Sequence, residues 1–177
     1  MKRFGAIMAA LAAMLSLTPL VARAADPALS QQANDAFLHR NATVPGVQVR
    51  PSGLQYSILK NGFGERPHPT DEVDVVYRGW LINGKMFDGT EALTPAHFTV
   101  NKLIPGWTEA LGIMRVGDRW RLVIPPNLAY GARGAGDGLI PPNQTLVFDM
   151  ELISITHPKQ QPHGDDDDSG GGGSDQQ

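Results

Sequence analysis

From Pro51 onward the chain alternates between apolar and polar positions. Leu54, Tyr56 and Ile58 predict a first half-buried strand. Val73, Val75, Tyr77, Gly79 and Leu81 predict a second, followed at once by Asn83-Gly84, a dipeptide that favours a tight hairpin. Phe98 and Val100 predict a short third strand, Trp120, Leu122 and Ile124 a fourth, and Leu146, Phe148, Met150 and Leu152 a long last one. The period switches to a helical one only at Trp107, Ala110, Leu111 and Met114, and Val116-Gly117-Asp118 closes that helix. Strands around a single short helix predict an α+β domain over residues 51–156.

The flanks follow different patterns. Lys2 and Arg3 precede an uncharged apolar run from Phe4 to Leu20, and Ala22-Arg23-Ala24 follows. This is the layout of a secretory signal peptide over residues 1–24, cleaved after Ala24. Pro19 and the small-residue site argue against a retained membrane anchor. Residues 25–50 then read as a short helical arm and connector. Ser30 caps a helix running to Arg40, with Ala33, Ala36 and Phe37 as a thin apolar side, and the residues from Asn41 to Pro51 are extended. From His157 to the end all periodicity is lost. His163, Asp165 to Asp168 and a Gly/Ser run cannot bury a core, so residues 157–177 are expected to be a disordered acidic, Gly-rich tail.

Composition narrows the function. The chain has no cysteine, which removes disulfides, thiolate nucleophiles, Cys-based zinc sites and a lipid-attachment cysteine. Export without any of these fits a soluble periplasmic protein of a Gram-negative bacterium, with no membrane contact once the leader is removed. Losing Lys2, Arg3 and Arg23 with the leader takes the formal net charge from −3 to −6, and no basic stripe offers itself to nucleic acid. Gly-x-Ser-x-Gly and Gly-Lys-Ser/Thr signatures are missing. The glycines from Gly131 to Gly138 lack dinucleotide spacing and lead to Pro141-Pro142 rather than to a helix, so they read as a hairpin loop. A cation bound by His157, His163 and the tail aspartates is disfavoured, because their spacing defines no geometry. No cofactor and no metal are expected.

One segment carries the chemistry. Leu122-Val123-Ile124 ends on Pro125-Pro126, which a strand interior does not tolerate. Tyr130 therefore lies on a rim loop. With Val75-Val76-Tyr77-Arg78-Gly79, Phe87-Asp88 and Ile104-Pro105-Gly106-Trp107, this segment resembles the FKBP-type peptidyl-prolyl isomerases, from about Pro51 to about Ile155. The lead-in from Val44-Pro45-Gly46 to Ser52-Gly53-Leu54-Gln55-Tyr56 resembles their macrophage-infectivity-potentiator-like bacterial branch. The resemblance implies a curved antiparallel sheet wrapped around one short helix, with a prolyl pocket between them. Trp107 would form its floor, and Tyr77, Phe87 and Phe148 its walls. Leu103 would add apolar wall, and Ile140 would be an apolar rim residue. Ile104, held extended by Pro105, would offer its N–H to a substrate carbonyl, and Tyr130 its hydroxyl to another. Asp88 would orient Tyr77 or accept a bond from substrate.

Rotation about an X–Pro bond needs no covalent step. Its barrier of roughly 18–20 kcal/mol is lost amide resonance, and a twisted amide is less polar than a planar one, so a dry pocket favours it. A rate gain of about 10⁴ corresponds to roughly 5.5 kcal/mol of differential binding. The implied partners are proline-containing unfolded or partly folded polypeptides, with a rapamycin-type macrolide as a further ligand. A non-catalytic prolyl-peptide-binding chaperone or adaptor would use the same pocket and is the alternative. The long helical dimerisation arm of some family members is absent, so a monomer is expected. The run after Asp88 also departs from the family: it carries no arginine, which removes one partner expected for Asp88, and Ala96 stands where many members have a larger wall residue.

Overall fold

Alternation along the chain becomes one antiparallel sheet. The computed structural model describes residues 26–91 and 94–158. The expected leader and the tail from residue 159 lie outside the described residues. The strands are β1 (Gln48–Val49), β2 (Gln55–Lys60), β3 (Glu72–Leu81), β4 (Met86–Gly89), β5 (Ala96–Thr99), β6 (Arg119–Ile124) and β7 (Leu146–Thr156). Their spatial order is β1-β2-β6-β7-β3-β4, and β5 pairs with β3 beside β4. The two long central strands, β3 and β7, pair along their whole length. The other edge of β3 is shared, its Arg78–Trp80 end pairing with β4 and its Glu72–Val75 end with β5.

Register converts the predicted apolar positions into a continuous floor. Gly79 lies opposite Phe148, which lies opposite Leu122. Leu81, Leu146 and Ile124 form the next row, and Tyr77, Met150 and Trp120 the one before. Partners directly opposite share a face, so alternation in three strands buries one common surface. The side chains of these rows, with Leu54, Val73, Val75 and Leu152, belong to the core cluster.

One α-helix, α2 (Pro105–Leu111), packs on that surface through Trp107, Ala110 and Leu111. Pro105 opens the helix, where its missing N–H costs nothing. Gly106 allows it to lie close: a Cβ there would stand 2.5 Å from Ile124 Cγ2. The helix stops at Leu111 rather than at Met114, because Gly112 ends it; Met114 is still buried, from the turn that follows. The hairpin predicted at Asn83-Gly84 forms, with the Leu81 N–H donating to Lys85 O at 2.9 Å and Gly84 at a φ of +83°.

Other expectations need correction. Val100 is not in a strand but opens a 3-10 turn, Val100–Lys102, whose first N–H donates to Asp71 O at 3.0 Å. Gln48–Val49 in the expected connector pairs with β2, and Phe87 and Asp88 stand within a strand of their own. The arm forms the expected helix, α1 (Gln31–Ala42), capped by the Ser30 side chain. Its one buried residue, however, is polar. Asn34, 1% exposed, takes the Thr145 N–H on Oδ1 at 2.7 Å and donates to Gln144 Oε1 at 3.2 Å. Ala33, Ala36 and Phe37 are only half-buried. A buried polar group without partners is costly, so this pair of bonds fixes where the arm can sit.

Candidate active site

An aromatic-walled cavity of about 120 Å³ opens between α2 and the sheet. Tyr77, Phe87, Asp88, Phe98, Leu103, Ile104, Trp107, Tyr130 and Phe148 line it. Trp107 is 4% exposed. Three rings meet it nearly edge to face: Tyr77 at 4.9 Å, Phe148 at 5.2 Å and Phe98 at 5.8 Å between centroids. Phe87 meets Phe148 at 5.5 Å in the same manner. Such geometry matches ring edges to ring faces and adds about 0.5–1.5 kcal/mol per pair beyond burial. The walls are therefore set before any ligand enters.

Polar groups stand at the mouth. The Tyr77 hydroxyl donates to Asp88 Oδ2 at 2.7 Å, and Asp88 Oδ1 accepts its neighbour's N–H, Gly89, at 2.8 Å. These two bonds fix Asp88 without the absent arginine. Burial, then the bond to Asp88 and its negative charge, hold the Tyr77 hydroxyl above the usual phenol range, so it stays a donor. Burial and the Asp88 charge also raise Tyr130, which is 40% exposed on its rim loop. Tyr130 is placed there by the stop at Pro125, a 3-10 turn over Pro126–Leu128, and a reversal at Gly131 with a φ of +54°.

Ile104 caps α2 with ψ of 146°, the extended shape expected before proline. Its carbonyl accepts the Trp107 and Thr108 N–H groups at 2.9 and 3.1 Å. Its own N–H donates to no backbone acceptor outside the regular elements among the described residues. The Ile104 backbone and the Tyr130 hydroxyl thus share the lining of one cavity.

Eight of the expected site residues converge on this cavity. Ile140 does not. It is buried in the core, held by two bonds with Ala135, whose N–H donates to Ile140 O at 2.9 Å and whose carbonyl accepts the Ile140 N–H at 3.0 Å. The glycine-rich loop is thereby the hairpin its sequence predicts, but the turn of the chain points Ile140 into the core. Phe98 also lines the cavity, although its alternation predicts only a strand position. Its alternation was visible; nothing local distinguished a pocket wall from a core residue. Gly79 was also missed as a positioning residue. A Cβ there would stand 2.7 Å from Phe148 Cε1 and 2.8 Å from Phe87 Cζ, so the bare backbone is what lets both rings close the back wall.

Comparison with known proteins agrees with this geometry. The family model described as FKBP-type peptidyl-prolyl cis-trans isomerase matches residues 64–153. The chain belongs to the FKBP-type peptidyl-prolyl cis-trans isomerase family. A model for the domain amino-terminal to FKBP-type isomerases matches residues 6–58 of this FKBP-family chain, the part that holds α1. Among curated relatives, the outer membrane protein MIP of Legionella longbeachae is 52% identical over 68% of this chain and 52% of its own length. The FKBP-type 22 kDa isomerase of Escherichia coli is 51% identical over 67% of this chain and 58% of its own. The chain thus spans little more than half the length of these relatives. A crystal structure of a peptidyl-prolyl isomerase from Pseudomonas syringae superposes with a TM-score of 0.67 at 41% identity, covering 72% of this chain and 93% of that one. FkpA of Escherichia coli gives the same score and identity over 71% of this chain and 58% of its own. This chain therefore shares the FKBP fold of those two solved structures.

Proposed function

We propose that this FKBP-family protein accelerates cis–trans rotation of X–Pro bonds in exported polypeptides by non-covalent stabilisation of the twisted amide. The observation that carries the reading is the cavity itself: a space walled by the Tyr77, Phe87, Phe98, Trp107 and Phe148 rings, with Asp88 and the Tyr130 hydroxyl also on its lining. A cavity of roughly 150 Å³ admits a benzene ring, so about 120 Å³ suits a prolyl ring. The X–Pro amide then lies against the aromatic walls, inside the polar mouth. There the planar, charge-separated form loses the solvation it has in water, and the twisted form loses less. The Ile104 N–H and the Tyr130 hydroxyl hold flanking carbonyls in the bent shape. Asp88, with both oxygens already engaged, acts by orienting the Tyr77 hydroxyl rather than by taking a proton.

An exchange assay on an Ala-Leu-Pro-Phe peptide, with and without rapamycin, tests this. The expected result is acceleration at micromolar protein and loss of acceleration with the macrolide. An unchanged exchange rate with intact peptide binding would instead leave the non-catalytic prolyl-binding module. Export rests on the basic, apolar and small-residue order of residues 1–24. Periplasmic protein beginning at Ala25 in its mass spectrum is the expected outcome, and light scattering is expected to report a monomer.

A further inference from the structure

The connector before β3 and the end of β7 meet at a cluster that the cavity does not use. Asp71, 3% exposed at its side chain, sits in the turn before β3. Its Oδ2 accepts the His68 N–H at 2.7 Å. Its own N–H donates to His68 O at 3.1 Å, and its carbonyl accepts the Val100 N–H at 3.0 Å. The backbone thus holds Asp71 through its main chain on both sides and its carboxylate through the His68 N–H. His68 Nδ1 stands 3.3 Å from Oδ2, and His157 Nδ1 stands 3.0 Å from Oδ1. Glu65 Oε2 lies 3.3 Å from the other nitrogen of His157. One ligand atom from each of His68, Asp71 and His157 falls within 4.8 Å of the other two.

We infer that His68, Asp71 and His157 form a site for a divalent transition cation of the zinc class, clamping the end of β7 to the β2–β3 connector. Zinc binds imidazole nitrogen and carboxylate oxygen at about 2.0–2.2 Å, and tetrahedral ligands at that distance stand roughly 3.3–3.6 Å apart. Each imidazole already faces one oxygen of the Asp71 carboxylate, and the three ligand atoms lie within 4.8 Å of one another, so ligation draws them together by side-chain rotation. Two imidazoles with one carboxylate select a borderline cation over magnesium or calcium, which take mostly oxygen ligands. The bond from the His68 N–H to Asp71 supplies the outer support that orients a ligating carboxylate. Water would take the fourth position, and Glu65, on the other nitrogen of His157, would orient that ring. Side-chain exposures of 75% for His68 and 52% for His157 leave the site open to an ion from solvent. This site is distinct from His163 and the tail aspartates.

Titration calorimetry of the tag-free full chain with Zn²⁺ decides it. One-to-one uptake in the micromolar range is expected, unaffected by excess Mg²⁺ and accompanied by a rise in Tm. His68→Ala and His157→Ala, both at exposed positions that should leave the core intact, should each weaken uptake roughly tenfold or more. They should also abolish the rise in Tm. His163→Ala combined with Asp165 to Asp168 changed to Asn should leave the affinity unchanged. Absence of uptake, or uptake that survives His68→Ala and His157→Ala undiminished, overturns the site.

Discussion

Adding one methyl group at Gly79 should collapse the back wall of the pocket. In a strand interior, Gly→Ala normally stabilises by about 0.5–1 kcal/mol, through backbone entropy. Here the new Cβ would stand 2.7 Å and 3.0 Å from Phe148 Cε1 and Cδ1 and 2.8 Å from Phe87 Cζ. Carbon atoms rest at about 3.5–4.0 Å, so the rings must move by roughly 1 Å. Neither ring is free to do so alone: Phe148 is edge-on to Trp107 at 5.2 Å, and Phe87 is edge-on to Phe148 at 5.5 Å. Overpacking of this kind costs about 1–3 kcal/mol, which exceeds the entropy gain and reverses the sign. Gly79→Ala should therefore lower stability by about 1–2 kcal/mol, or roughly 4–8 °C in Tm per kcal/mol. A 1 Å shift of groups that position the substrate also lowers kcat/KM for the proline peptide tenfold or more. The assays are urea unfolding and peptide exchange, both at a temperature where the variant is fully folded. In a Phe148→Leu background the same Gly79→Ala change should cost about 1 kcal/mol less. A Tm at or above the parent's with unchanged kcat/KM, or equal cost in the two backgrounds, would refute the tight wall.

Other expectations follow from named contacts. Tyr130→Phe should leave Tm unchanged and lower kcat/KM several-fold, and parent-level exchange would show that its hydroxyl holds no substrate carbonyl. Trp107→Leu should shift the preference among residues preceding proline, read from a peptide series; an unchanged profile would mean the indole is not the floor. Asn34→Ala removes the 2.7 Å partner of the Thr145 N–H and should cost about 1–3 kcal/mol, with faster hydrogen exchange at Thr145 as its signature. His97 lies 2.9 Å from Asp74 and 3.1 Å from Glu72, and hydrogen bonds to those carboxylates, Asp74 first, raise it above its ordinary value. A raised folded-state value means the contribution is complete below about pH 6.5 and is lost as pH rises through the folded value. The urea midpoint should therefore fall between pH 6 and pH 8.5, and His97→Gln should flatten part of that fall.

Much of the site was legible because its residues sit where local rules are strict. Pro125-Pro126 had to end β6, Pro105 had to extend Ile104 and open α2, and alternation had to put Tyr77 and Phe148 on one face. Phe98 and Ile140 mark where this legibility ends. Both are apolar and both belong to or pack against the core, yet Phe98 lines the cavity and Ile140 does not. Alternation says which face of a strand is buried. It does not say whether the neighbour across that face is a side chain or an opening.

The sequence by itself determined the long strands, the hairpin at Asn83-Gly84, the arm helix, the helix under the pocket and the order of the pocket motifs, because each depends on residues a few positions apart. Only the tertiary structure decided what depends on distant segments meeting. Register placed Gly79 beneath Phe148 and Phe87, so a glycine that looked like a weak strand position became the space two rings need. Folding brought Asn34 to Thr145 and His157 to Asp71. No periodicity encodes those meetings, since the partners lie outside the strands and far apart along the chain.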